Sequence, residues 1–169
     1  MLDQALASKL RSAGTEMLKK LGQNILNGKL NLINVTFPIK CMTSVSMLEQ
    51  MPTSQTCCAI LLNKAASLTD PLERFKLVMV TSVAFMYPSK IYEKPLNPVL
   101  GETYQAFGAD GAKIYMEQTE HHPPISHMLI EGPNGNYKVT GWSTWAVSAG
   151  LNNATLKSDG HKKVIFADG

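Results

Sequence analysis

The sequence predicts an α+β fold in which helices come first and an antiparallel β-meander follows. Three observations carry the prediction. Residues 1–28 place Leu2, Leu6, Leu10, Ala13, Met17, Leu21 and Ile25 at steps of three and four, which is helical spacing. Residues 70–87 open with Asp70 at an N-cap, Pro71 in the first turn and Glu73 three residues past the cap, a strong helix start. After Tyr87 the chain breaks into short strand-like runs separated by Gly-, Asp- and Asn-rich turns.

In order, the first segment carries Lys9, Arg11, Glu16, Lys19 and Lys20 largely between its apolar positions, so it reads as an amphipathic helix. It docks on the domain or serves as a mobile lid or membrane-surface helix. Gly14, Gly22 and Gly28 predict breaks near each. The stretch "LNLINVTFPI" (30–39) reads as extended, Met42 to Met51 as a short helix that Pro52 ends, and 55–67 as a second helix. The run "PLERFKLVMVTSVAFMY" (71–87) is long and apolar enough to predict a mostly buried helix. The strand-like runs are "VLGETYQAF", "AKIYMEQT", "ISHMLIE", "NYKVTGWSTWAV", "ATLKS" and "KVIFADG", with turn signals at 108–111, 132–136 and 158–160. A meander that stops at a strand leaves an open edge, which folded proteins cover or close, so the chain reads as incomplete.

At 169 residues the chain is one domain by length, with 44% apolar and 17% charged residues. A net charge of +3 without a Lys/Arg block argues against nucleic acid as a partner. No apolar run approaches the ~18 residues that span a bilayer. The opening "MLDQALASKLRSAG" holds no long apolar stretch of signal-peptide type. Three cysteines, two of them the neighbours Cys57 and Cys58, form no secreted disulfide framework and no CxxC motif. They indicate a reducing, cytoplasmic compartment.

Two segments carry chemistry. In "EQTEHHPPIS" (117–126), Pro123 disfavours helix at His122, which removes the helical type of histidine metal site. In a flat strand His121 and His122 would face opposite ways; they converge only if the chain turns, which Pro123-Pro124 favours. A zinc site would have only Glu117, Glu120 and His127 as helpers, and no presented nucleophile signals a triad. A purely structural turn is a further reading; the pattern favours an anion site with imidazoles as donors to phosphate or carboxylate. In "EKPLNPVLGE" (93–102), Pro95 and Pro98 stiffen the backbone, and polyproline spacing would present Lys94 and Asn97 to one side. Glu93 and Glu102 could instead pair with the lysine. The aromatics Tyr87, Tyr92, Tyr104, Tyr115, Trp142 and Trp145, with Met79, Met86, Met116 and Met128, either fill a core or line a pocket.

Together these residues resemble the oxysterol-binding-protein-related lipid-transfer family. Its fingerprint run is Glu-Gln-Val-Ser-His-His-Pro-Pro, and this chain has Glu117-Gln118-Thr119-Glu120-His121-His122-Pro123-Pro124. The family's upstream Lys-Pro-(Leu/Phe)-Asn-Pro-x-Leu-Gly-Glu stands intact from Lys94 to Glu102, and the likeness runs over nearly the whole chain. The resemblance implies part of a large, incomplete antiparallel β-barrel with a lipid tunnel. It implies a single partial lipid-binding domain over 1–169: a lid-like amphipathic segment at 1–29, an extended segment and helices at 30–87, and antiparallel strands at 88–169.

By motif position, Lys94, Asn97, His121 and His122 would contact the headgroup of phosphatidylinositol 4-phosphate at the tunnel mouth. They would be binders, not catalysts, with no cofactor and no metal. The implied function is intracellular binding and transfer of a sterol or phospholipid at membrane contact sites. The implied partners are the lipid and, transiently, a membrane surface, with no obligate protein partner. Two departures stand out. Glu120 replaces a small residue, and the family's further lysine, glutamate and arginine contacts come from a C-terminal region beyond these residues. The alternatives are a non-transporting membrane-binding or regulatory fragment and an inositol-phosphate phosphoesterase.

Overall fold

Helical spacing at the N-terminus becomes a helix, α1 (Gln4–Leu26), in the computed structural model, which describes residues 4–27, 38–85, 94–149 and 154–169. Of the stretch expected to be extended (30–39), residues 30–37 lie outside the described residues and Ile39 opens the turn Ile39–Cys41; Met86, Tyr87 and Tyr92 also lie outside them, as do the side chains of Leu21, Ile25, Cys57 and Cys58. Leu6, Leu10 and Met17 are half-buried and Ala13 is buried, so the predicted stripe is the less exposed face, packed by the turn Ile39–Cys41. The breaks expected at Gly14 and Gly22 do not occur. A glycine costs a helix about 1 kcal/mol relative to alanine, too little to interrupt it.

Residues expected to form a helix from Met42 instead begin as a strand, β1 (Met42–Ser46), followed by one helix, α2 (Met47–Ala66). Ser46 caps α2, its hydroxyl accepting from the Glu49 N–H at 3.3 Å, a Ser-x-x-Glu start that fixes the boundary. Pro52 does not end the helix. Its ring sits buried within α2, and one lost backbone bond is outweighed by a single buried line, Leu48, Ala59, Leu62 and Ala65, that runs past it.

Helix α3 (Pro71–Ala84) starts as predicted, with the Asp70 carboxylate accepting from the N–H groups of Leu72 (2.8 Å) and Glu73 (3.3 Å). It is not the mostly buried helix its composition suggested. Thr81 is buried, but Phe75 is 59% and Val83 69% exposed, because α2 and the sheet cover only one side of it. Its two ends are tied to the last strand. Arg74 packs its guanidinium over Phe166 and pairs with Asp168 at 2.6 Å, and Lys162 lies 3.6 Å from the Phe85 ring centre.

β2 (Lys94–Leu96) pairs in parallel with β1. The remaining strands, β3 (Thr103–Phe107), β4 (Lys113–His121), β5 (Pro124–Glu131), β6 (Tyr137–Ala149) and β7 (Ala154–Phe166), form one antiparallel sheet in sequence order. The sheet is open, with β3 and β7 as edges, so the architecture is helices plus part of a barrel wall. The turn expected at 158–160 is absent. β7 runs straight through it, paired with β6 from Ala154 to Phe166. Gly160, at φ 145°, serves close approach instead, since a Cβ there would collide with the Trp142 carbonyl.

Alternation sorts the sheet into rows. On the helix side Ala106, Ile114, Ile130, Val139 and Val164 lie side by side across five strands, then Tyr104, Met116, Met128, Gly141 and Lys162. Leu48 and Leu62 of α2 pack on these rows. The next row, Gln118, Ser126, Ser143 and Gly160, is polar, so the core fades towards the end that carries the histidines. At the opposite end α2 is clamped by side chains. Asn63 donates to Asp110, Tyr137 Oη donates to the same carboxylate at 3.2 Å, and Asn136 donates to Asn63 at 2.6 Å.

Asp110→Ala removes the acceptor of three part-buried donors, from Asn63, Tyr137 and the Ala112 N–H, and is expected to cost about 1–3 kcal/mol, read by urea unfolding. A second expectation concerns acid. The Arg74 guanidinium, hydrogen-bonded to Asp168, holds that carboxyl below its usual range. The pair therefore adds stability above about pH 4, and that contribution is lost as pH falls through the lower folded value. Asp168→Asn should flatten the acid limb of a melting-temperature profile between about pH 2.5 and 6; an unchanged limb would show that the pair does not contribute.

Candidate functional site

Both chemistry-bearing segments end up at one end of the β3–β4 ladder. Past β3 the pairing continues into the preceding loop: the Gly101 N–H donates to Gln118 C=O at 2.8 Å, and the Gln118 N–H donates to Glu102 C=O at 2.9 Å. The loop that starts at Asn97 is thereby fastened to β4 three residues before His121. Gly101 has φ 78°, a turn conformation that favours glycine, and Pro95 and Pro98 are buried, so the loop is anchored along its length.

Lys94 and Asn97 face the same way, as the proline spacing suggested. The lysine ammonium donates to Asn97 Oδ1 at 2.9 Å and lies 3.5 Å from the Pro95 carbonyl. Glu102, a possible partner for the lysine, is used elsewhere: its carboxylate accepts the Val99 N–H at 3.0 Å and closes the loop. Glu93 lies outside the described residues.

The histidines converge. Their ring centres are 4.6 Å apart with planes at 65°, His121 ending β4 and His122 joined to Pro123 by a cis peptide. Both are exposed, and among the described residues neither imidazole is engaged in a side-chain hydrogen bond. Glu120 and His121 occupy successive register positions, opposite Ile125 and Pro124, so their side chains take opposite faces. The Glu120 carboxylate is thus directed away from His121. Among the described residues no group of three His, Cys, Asp or Glu side chains is placed to hold a metal.

The site therefore offers an ammonium, a carboxamide and two imidazoles, a set suited to the oxygens of a phosphate. The Lys94–Asn97 pair leads into the loop bonded to Gln118, and the histidines end the strand that carries Gln118, without a direct hydrogen bond between the two pairs among the described residues. One residue in the fingerprint had been given no role: Gln118 is buried and fully hydrogen-bonded at the junction of the segments. The signal was present in the alternation Ile114, Met116, Gln118, which puts an amide on a core face.

The aromatic and methionine residues divide. Met116 and Met128 are buried in the core with Tyr104 against them, while Tyr115 and Trp142 lie on the opposite face. There, with Glu117, His127 and His161, they line an open concavity of about 660 Å³ that does not include the histidine pair. Trp145, at 48% exposed, belongs to neither group.

Comparison with known proteins decides the family. The family model described as "Oxysterol-binding protein" matches residues 19–168.

The chain belongs to the oxysterol-binding protein family. It is 34% identical over 170 residues to "Oxysterol-binding protein 9" of Dictyostelium discoideum, covering 99% of this chain and 39% of that protein. Among solved structures it is similar to the Osh1 ORD domain in complex with ergosterol, with TM-score 0.70 and 28% identity over 80% of this chain and 32% of that one. It also shares its fold with the Osh3 ORD in complex with PI(4)P from Saccharomyces cerevisiae, with TM-score 0.70 and 22% identity over 89% and 40% of the two chains. The chain thus spans well under half the length of these family members. Among the described residues no helix is long and apolar enough to cross a membrane.

Glu102→Ala, which frees the Val99 amide, is expected to speed hydrogen exchange at Val99 while Gly101, bonded to Gln118, stays protected. Equal exchange at both would mean that the loop opens as one unit.

Proposed function

We propose that this chain supplies the headgroup-binding end and part of the wall of a lipid carrier. Lys94, Asn97, His121 and His122 hold the phosphate of phosphatidylinositol 4-phosphate. The observation that carries this reading is the fastening of the Lys94–Glu102 loop, through Gly101 and Glu102, to Gln118 on the strand that ends in His121. Support comes from the family and from its solved members, one bound to ergosterol and one to PI(4)P. The apolar body of a sterol or phospholipid lies against the barrel wall, and residues 1–29 act as its cover. The protein works in the cytoplasm, meeting membranes transiently, without catalysis and without an obligate protein partner.

Chemistry makes the headgroup the selective element. Moving an apolar lipid body from bilayer to protein exchanges one apolar environment for another and gains little. A phosphate leaving water gains only if charged or hydrogen-bonding donors replace its hydration, and those are the four residues named.

The double substitution His121→Ala with His122→Ala is expected to weaken binding to vesicles carrying phosphatidylinositol 4-phosphate by more than about tenfold, a 1.4 kcal/mol effect, and to spare binding of a fluorescent sterol. Equal loss of both ligands would show that the pair holds the fold rather than the headgroup.

A second reading is favoured by α3, whose Leu72, Phe75, Met79 and Val83 leave an apolar stripe exposed. On that reading the chain is a membrane-binding or regulatory piece that does not transport. Vesicle binding without sterol transfer between donor and acceptor vesicles would select it.

A further inference from the structure

We propose that Gln118 is a positioning residue for the headgroup site and decides which face of the sheet His121 occupies. This rests on the reading of His121 and His122 as headgroup contacts.

Gln118 is 1% exposed, and all of its polar groups are used. Its backbone fastens the loop through Gly101 and Glu102, at 2.8 and 2.9 Å. Its side-chain Nε2 donates to the Glu120 carbonyl at 2.6 Å, and its Oε1 accepts from Ser126 Oγ at 2.6 Å. One residue therefore joins the lysine-bearing loop, the histidine-bearing end of β4 and the facing strand β5.

The bond to Glu120 matters most. Between Gln118 and Glu120 the ladder is irregular: Gln118 faces Ser126 and Glu120 faces Ile125, so Thr119 is an extra residue on β4. Through this bulge His121, opposite Pro124, shares the helix-side face of Gln118, opposite Ser126. In a regular ladder a residue three positions after Gln118 would take the other face, because side chains alternate with period two. The Gln118 amide spans the bulge and satisfies the Glu120 carbonyl within it. Without that donor, the regular register loses its disadvantage and His121 turns away from the loop.

The test uses the whole chain with Gln118→Leu, which fills the buried space but cannot donate. Gln118→Met, unbranched and of similar length, serves if leucine prevents folding. The first readout is the ring-to-ring nuclear Overhauser effect between His121 and His122, which needs no ligand. The second is binding to phosphatidylcholine vesicles doped with phosphatidylinositol 4-phosphate, well below the melting temperature. Loss of the ring contact together with an affinity drop of about tenfold, while Tyr115 and Ile130 amides stay protected, is the expected result. Ser126→Ala, which leaves the bond to Glu120 in place, should lower the melting temperature and keep both readouts.

A retained ring contact in Gln118→Leu overturns the proposal, whatever happens to binding. So does a lost contact with undiminished binding. If the unsubstituted chain ignores the phosphoinositide but the substitution still separates the rings, the positioning role stands and the headgroup reading fails.

Discussion

The packing of α2 on one face of the sheet is the constraint from which both halves of the site follow. Leu48 and Leu62 lie fourteen residues apart on one helix face, and both sink into the rows that contain Ile114, Met116, Met128, Ile130 and Val139. Apolar burial of this kind is non-directional and would permit α2 to slide or roll. The polar clamp removes that freedom at one end, because Asn63 reaches both Asp110 and Asn136 only in a single axial position. At the other end Ser46 joins the helix directly to β1, and β1 pairs with β2, so the clamp also sets where Lys94 stands. The same rows determine that Gln118 points inward, and hence where β4 delivers His121.

Different parts of this arrangement were legible in the sequence to different degrees, for physical reasons. Asp70, Pro71 and Glu73 are local signals that act within one turn, and α3 starts where they place it. The meander was equally readable from β3 through β6, since its turns at 108–111 and 132–136 carry residues whose backbone needs are local. Pro52 and Gly160 misled for a shared reason. Each is a strong local breaker, and each is overruled by contacts made elsewhere, by Leu48 and Leu62 in one case and by pairing with β6 along the whole of β7 in the other. The Ser46–Glu49 cap was a readable start for α2 that the proline obscured. At the site, the convergence of His121 and His122 followed from the prolines. The inward amide of Gln118 and the extra residue at Thr119 depend on register with β5, which no local pattern specifies.

What the helices leave uncovered has a related origin. α3 is attached to β7 mainly at its ends, through Arg74 with Phe166 and Asp168 and through Lys162 with Phe85. Such contacts fix a helix in place without burying its far side, and Leu72, Phe75, Met79 and Val83 remain in contact with water. A helix apolar on more than one side is matched to cover on more than one side. Here α2 packs along one side of α3, and the other side stays in contact with water.

The pairing of Lys94 with Asn97 bears on whether the lysine can serve a phosphate at all. An ammonium carries three donors and no acceptor, so its bonds to the Asn97 carbonyl oxygen and the Pro95 carbonyl leave a donor over and meet no opposite charge. Had Glu102 taken the lysine, the charge itself would have been cancelled; instead that carboxylate is held by the Val99 amide. The amide nitrogen of Asn97, a further pair of donors, is left pointing away from the oxygen that the lysine uses. Asn97 therefore orients the lysine side chain, and Glu102 closes the loop through the Val99 amide. On the proposed headgroup reading, an arriving phosphate would meet a lysine whose side chain is already ordered, which would lower the entropy lost on binding without reducing the attraction.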